Sequence, residues 1–357
     1  MERNNGRKKK TVLFITVLIA VILIAVLVYY QNAVYCTFQN LTAYKTDIDP
    51  YEEWDGGISY EGVAYAYDSD NQYLDLYVPD HSEGNEPKLF VLVHGGGFIY
   101  NDSQSKQAAL MYHYFRDQGY ACATINYRLA QEAEFPGALS DVKAAIRYLR
   151  SHADEYGYDA ETIALWGESA GGYLATAAAV TDDDEFTDIR YIGQDEDEAK
   201  GIEVSARVNV LVDYYGAVDL RNKSEDWKKL RIPGIVVSIA NSWLHTDVLD
   251  GYSDVESYWL RKETSSMSVE ELDYSDPMYY AKKNLPQMDD LSVWIAHGDC
   301  DITVPILQSE RLYELCAGIL GEDRVHFEVI HNAGHAGDIM YSDEELYKVK
   351  TFLDERL

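Results

Sequence analysis

The stretch Leu165-Trp166-Gly167-Glu168-Ser169-Ala170-Gly171-Gly172 constrains this chain more than any other. A β-type run, Thr162 to Trp166, leads into it, and an alanine-rich helical run, Tyr173 to Val180, leaves it. A Gly-x-Ser-x-Gly at a strand-to-helix junction is the signature of a nucleophile elbow. The turn is so tight that the serine takes a strained backbone conformation, and the residues two before and two after must be small. Gly167 and Gly171 meet that demand. A glycine-rich junction can hold a serine by chance, so the rest of the chain must supply its partners.

The surrounding periodicity supplies a scaffold. Ser59 to Tyr67 and Gln72 to Val78 alternate on either side of Asp68-Ser69-Asp70-Asn71, a β-hairpin pattern. Leu89 to Val93, Ala121 to Ile125, Thr162 to Trp166, Val208 to Tyr214, Ser292 to His297 and Val325 to Ile330 are short apolar runs, as expected of strands buried on both faces. Between them lie helical stripes: Ala108, Met111, Tyr112 and Phe115, then Leu139, Val142, Ile146 and Leu149 after Pro136. A closing stripe, Leu346, Val349, Phe352 and Leu353, lies within Asp343 to Leu357. Strands alternating with helices predict an α/β fold with a mostly parallel sheet. Arg221 to Gln287, with Trp227, Trp243, Trp259 and Tyr279-Tyr280, interrupts that pattern and is expected to lie as a lid over the sheet's carboxyl edge.

The N-terminus has a different character. Arg3, Arg7, Lys8, Lys9 and Lys10 stand against Glu2 alone, and Thr11 to Tyr30 carries no charge. Twenty such residues span a hydrocarbon core of about 30 Å, and the basic cluster predicts a cytoplasmic N-terminus. A cleaved signal peptide has a similar layout, but its apolar core is usually 7–15 residues and ends in a small-residue site, which is missing here. Cys36 makes a poor lipid-attachment site, because Tyr35 stands where a small residue is needed. The expected organisation is a basic tail at 1–10, a retained signal-anchor at 11–30, a linker at 31–57 and a domain at 58–357, outside the cytoplasm.

Composition narrows the partners. The 357 residues include 61 acidic and 30 basic ones, for a charge of −31, which argues against nucleic acid or anionic lipid as the domain's partner. Thirty tyrosines against nine phenylalanines suit a wet, polar binding surface, sugars included, although tyrosines also fill strands. Cys36, Cys122, Cys300 and Cys316 form no Cys-x-x-Cys pair, so zinc is not suggested, and a Cys300–Cys316 bridge is conceivable. The acidic run from Asp182 to Lys200 lacks a calcium-loop pattern and reads as a solvated face. No cofactor or metal is expected.

A serine hydroxyl is a weak nucleophile until a base takes its proton, and a third group must orient that base. Asp301, in His297-Gly298-Asp299-Cys300-Asp301, and His335, in His331-Asn332-Ala333-Gly334-His335, each follow a strand-like run. The order Ser, Asp, His is that of the α/β-hydrolase fold.

At this point the chain resembles an α/β-hydrolase esterase, near the hormone-sensitive-lipase and feruloyl-esterase-like branches. The matching pieces are His94-Gly95-Gly96-Gly97-Phe98, Tyr127-Arg128-Leu129, Phe135-Pro136-Gly137-Ala138-Leu139 with Asp141, Gly167 to Gly172, and the Asp301 and His335 loops. They run in family order across about residues 58 to 357. Gln131 departs from the proline common there. The resemblance implies Ser169 as nucleophile, His335 as base and Asp301 as its orienting acid. Asp299 is the alternative acid and His331 the runner-up base. It also implies an oxyanion hole from the N–H groups of Gly96, Gly97 and Ala170, with His94 bracing the glycine loop. Arg128, Asp141 and Asp219 read as structural polar contacts. The expected activity is hydrolysis of small or carbohydrate-linked esters through an acyl-enzyme. The alternatives are a catalytically silent binding module, which would typically lack one of these groups, and a peptidase, which would need room for a large N-terminal domain.

Overall fold

A computed structural model describes residues 16–17, 19–21, 31, 35–36, 38, 54–194, 204–230 and 249–357. Among the described residues, eight strands form one sheet: β1 (Gly57–Ala64), β2 (Tyr73–Pro79), β3 (Lys88–Val93), β4 (Ala121–Ile125), β5 (Asp159–Glu168), β6 (Val210–Tyr214), β7 (Ser292–Gly298) and β8 (Val325–Ile330). Their order is β1-β2-β4-β3-β5-β6-β7-β8. The β1–β2 and β2–β4 pairs are antiparallel, and every other pair is parallel. The expected hairpin therefore forms the antiparallel edge of an otherwise parallel sheet.

Each central strand is apolar on both sides because helices cover both faces. In β3, Leu89, Val91 and Val93 join one core, whereas Phe90 and Leu92 join the other. Helices α1 (Lys106–Asp117), α2 (Gly137–Ser151), α3 (Ala170–Val180), α4 (Leu307–Leu320) and α5 (Asp343–Asp354) supply the cover. Apolar residues of α1 and α5 pack in the Phe90 core, and those of α2, α3 and α4 in the Leu89 core. Burial of a leucine- or phenylalanine-sized side chain contributes about 1.5–3 kcal/mol, so the two layers fix the sheet and the loops at its carboxyl edge.

Most of the apolar run 11–30 lies outside the described residues. Within it Thr16, Val17, Ile19, Ala20 and Val21 are helical, and Val17, Ile19 and Val21 are exposed. No helix among the described residues is long and apolar enough to cross a membrane. Within 31–57, the segment read as a linker, the described residues Cys36 and Trp54 make contacts with the domain. Cys36 is buried against Cys300 and Ile302, and Trp54 meets Tyr77 edge-on with the Arg116 guanidinium over its ring. These contacts join residues far apart in sequence, which periodicity cannot report.

Candidate active site

The elbow is held by backbone against backbone. β5 ends at Glu168 and α3 begins at Ala170, which leaves Ser169 at φ 54°, ψ −117° between them. A Cβ on Gly167 would lie 2.0 Å from the Gly171 carbonyl oxygen, and one on Gly171 would lie 2.1 Å from that of Val93. Only glycine fits either position. The Ser169 N–H donates to the Tyr214 carbonyl at 2.9 Å, tying the turn to β6.

The loops after β7 and β8 bring the acid and the base to that serine. His335 Nε2 lies 3.0 Å from Ser169 Oγ, and its Nδ1 lies 2.6 Å from Asp301 Oδ2. Asp301 Oδ1 accepts the N–H groups of Thr303 at 2.7 Å and Val304 at 2.9 Å. Burial alone would raise this carboxyl. The neighbouring His335 charge and hydrogen bonds from His297 and His335 outweigh burial and hold it well below the usual carboxylate range. His297 Nε2 stands 3.3 Å from Asp301 Oδ2, a partner that sequence reasoning gave no role. Asp299 and His331, the alternative acid and base, pair with each other at 2.9 Å. Asp299 also accepts the Asn332 N–H at 2.7 Å, so it joins the two loops and takes no part in the relay.

The glycine loop after β3 forms the opposite wall. Gly96 has φ 109° and Gly97 φ 60°, and a Cβ on Gly96 would meet the Tyr100 carbonyl oxygen at 2.2 Å. His94 braces this loop. Its Nδ1 lies 2.7 Å from the Gly95 oxygen, and its ring stacks on Tyr127 at 4.3 Å. Burial pushes its imidazole down to about 4, so it is neutral near pH 7. Gln131 Nε2 donates to the Ile99 carbonyl at 2.8 Å, a structural use for the residue standing in place of proline. Asp141 accepts the Arg128 backbone N–H and guanidinium at 2.9 Å and the Gln72 amide at 2.7 Å. Asp219 pairs with Arg311 at 2.5 Å. Both are structural, as expected. Glu168 was not anticipated as a contact. Its buried carboxyl, raised by burial, accepts Tyr215 at 2.9 Å, Tyr341, and the Gly95 N–H at 3.4 Å, linking elbow and glycine loop.

A serine, an imidazole and a carboxylate in hydrogen-bonded series, beside a glycine loop, can perform acyl transfer. A family model described as BD-FAE matches residues 74–315, a span that includes Ser169 and Asp301. The chain belongs to the BD-FAE family. It is similar to the probable carboxylic ester hydrolase LipM of Mycobacterium tuberculosis, with 30% identity over 179 residues, 47% of this chain and 39% of LipM. It is also similar to esterase LipQ of the same organism, with 25% identity over 278 residues, 78% of this chain and 57% of LipQ. The matches therefore span well under two thirds of either relative. Among solved structures, a truncated carbohydrate esterase from gut microbiota superimposes with TM-score 0.65 at 25% identity, covering 85% of this chain and 97% of that one. Esterase 2 of Thermogutta terrifontis with bound propionate shares the fold at TM-score 0.58 and 21% identity, covering 84% and 94%.

In this BD-FAE chain the cleft beside Ser169 is lined by Gly97, Phe98, Ala170, Val255, Glu256 and Val304, among others. Its enclosed space is about 20 Å³, room for about one water. The described parts of 221–287 form this wall; Trp243 and its neighbours lie outside the described residues. Trp259 stacks on Phe98 at 4.0 Å, and the Tyr173 hydroxyl donates to the Ser275 carbonyl. Lys223 pairs with Glu256 Oε1 in the same wall. Burial would lower this ammonium, but Glu256 and Asp254 hold it above its usual value. The other Glu256 oxygen, Oε2, is buried without a hydrogen-bond partner among the described residues. A larger depression of about 560 Å³ at the amino end of β5, lined by Glu86, Asp154, Asp159 and Glu161, lies at the sheet end opposite the relay.

Proposed function

We propose that this chain is a serine carboxylesterase acting on small or carbohydrate-linked esters. The observation that carries the proposal is the unbroken series Ser169 Oγ, His335, Asp301, with gaps of 3.0 and 2.6 Å. Ser169 attacks the ester carbonyl as His335 Nε2 takes its proton. Asp301 keeps the other ring nitrogen protonated and stabilises the imidazolium. The N–H groups of Gly96, Gly97 and Ala170 hold the oxyanion, and removal of one such donor typically costs about 10²–10³ in rate. His335 then protonates the leaving alcohol, and water repeats the sequence on the acyl-enzyme.

A polar alcohol portion is supported by Glu256, which lines the cleft and whose Oε2 has no hydrogen-bond partner among the described residues. Residues 221–287 act as a lid, a role supported by the place of Lys223, Val255 and Glu256 along the cleft beside Ser169. The apolar run 11–30 anchors the chain with its domain outside the cytoplasm. The exposed apolar side chains of Val17, Ile19 and Val21 support the anchor, and the basic cluster before it supports the orientation. An intact relay disfavours the silent binding module.

Hydrolysis of p-nitrophenyl acetate by residues 31–357 tests the chemistry. Ser169→Ala is expected to lower kcat by about 10⁵-fold or more. Equal rates for the two proteins would remove Ser169 as nucleophile. Release of acetate from decorated polysaccharide tests the alcohol, and turnover of simple alkyl esters alone would exclude sugars. Protease added to intact cells is expected to release the domain; protection would reverse the topology.

A further inference from the structure

The pair Cys36 and Cys300 is not used by the chemistry above. Their sulfurs lie 2.6 Å apart, and with Ile302 they form a small apolar cluster separate from both main cores. The residues are 264 positions apart, one before the domain and the other immediately before Asp301. A second contact joins the same two regions, since the Tyr35 hydroxyl donates to Asn332 Oδ1 in the loop that carries His335. The acid and base loops are themselves tied together, because the Cys300 N–H donates to the Ala333 carbonyl at 2.9 Å. The remaining cysteines lie elsewhere: Cys122 in β4 and Cys316 in α4, each inside one of the two cores.

We propose that Cys36 and Cys300 form a disulfide that fastens the segment preceding the domain onto the loop carrying Asp301. Its formation in cells rests on the placement of the domain outside the cytoplasm, where disulfides persist. Two thiols lose two protons and two electrons to a donor disulfide of a thiol–disulfide oxidoreductase. One S–S bond forms between Cys36 and Cys300, the donor's S–S bond breaks, and the donor leaves as two thiols. The bridge is structural, not a redox relay. Burial pushes both thiols up, so neither offers a ready thiolate for turnover. Its effect on chemistry is one of position: Cys300 directly precedes Asp301, the residue that orients His335, so the clip tethers the loop that carries Asp301.

The full chain, purified from membranes of an exporting host with thiols blocked at lysis under denaturing conditions, decides the matter. Two of four thiols are expected to be blocked, and two to react with a second maleimide only after reduction. A single peptide pair containing Cys36 and Cys300 is expected before reduction. C36S and C300S should each abolish the protected pair, and C316S should retain it. Blocking of all four thiols, or a bridge that includes Cys316, overturns the pairing as it occurs in cells. Exposing the reduced, solubilised chain to glutathione disulfide separates the two premises. A Cys36–Cys300 bridge formed only there upholds the pairing and refutes the location, and no bridge in either setting refutes the pairing. Reductant should lower the half-inactivation temperature of the bridged chain by about 5 °C and leave that of C300S unchanged. The same shift in both would overturn the positioning role.

Discussion

At the elbow, backbone touches backbone: Gly167 closes on Gly171, Gly171 on Val93, and the Ser169 N–H on Tyr214. Across the cleft, the described residues of 221–287 meet the domain through side chains such as Trp259 on Phe98, Tyr173 on the Ser275 carbonyl and Arg311 on Asp226. The difference separates two tasks. The position of the reacting oxygen is set by contacts that no side chain can replace. The shape offered to the substrate is set by contacts that a substitution can alter without moving the serine. A scaffold divided this way can change its ester while keeping its chemistry.

The largest effect should come from the relay. Asp301→Asn leaves the geometry but favours the wrong imidazole tautomer, so kcat should fall by about 10⁴-fold with the fold intact by circular dichroism. A mild loss would mean that His297 or another group orients His335. Next comes Gly167→Ala, whose Cβ has no space, with an expected loss of about 3 kcal/mol or more in urea unfolding. A stable, active variant would break the distinction between the two walls. On the other wall, Glu256→Gln should raise KM for a sugar ester about tenfold and leave p-nitrophenyl acetate hydrolysis nearly unchanged. Equal effects on both substrates would place Glu256 in the chemistry, not in selection.

The smallest effect concerns a buried charge within residues 221–287. Burial raises the Asp276 carboxyl to about 6 against an ordinary 3.8, although Arg221 at 2.9 Å opposes the shift. The folded form therefore holds this proton more tightly than the unfolded one. Its contribution is present below about pH 4 and is lost as pH rises through 6, with an expected decline of ~2 kcal/mol. Asp276→Asn should flatten stability across that window in thermal melts. An unchanged pH profile would exclude Asp276 as its source.

Sequence carried the scaffold well where periodicity was clean. The bounds of β4 and β8 match the apolar runs Ala121 to Ile125 and Val325 to Ile330. β5 begins at Asp159, earlier than the expected Thr162, because the first pair, Lys88 with Asp159, precedes a register shift that breaks the apolar pattern. The positions of Ser169, Asp301 and His335 were legible because each follows a strand and their order is constrained by topology. His297 on Asp301, Glu168 on Tyr341 and Lys223 on Glu256 were not, since such pairs have no spacing rule. Spacing could not report the partners of Tyr35 and Cys36 either, which lie 297 and 264 residues away.

The docking of Cys36 beside the acid loop also sets a leash. If the anchor ends at Tyr30, five residues lie between it and Cys36, and those six Cα-to-Cα steps reach at most about 20 Å. Residues 31–57 then give the catalytic cleft no long tether, however extended they are. On the proposed placement, a substrate reaches the cleft close to the membrane surface.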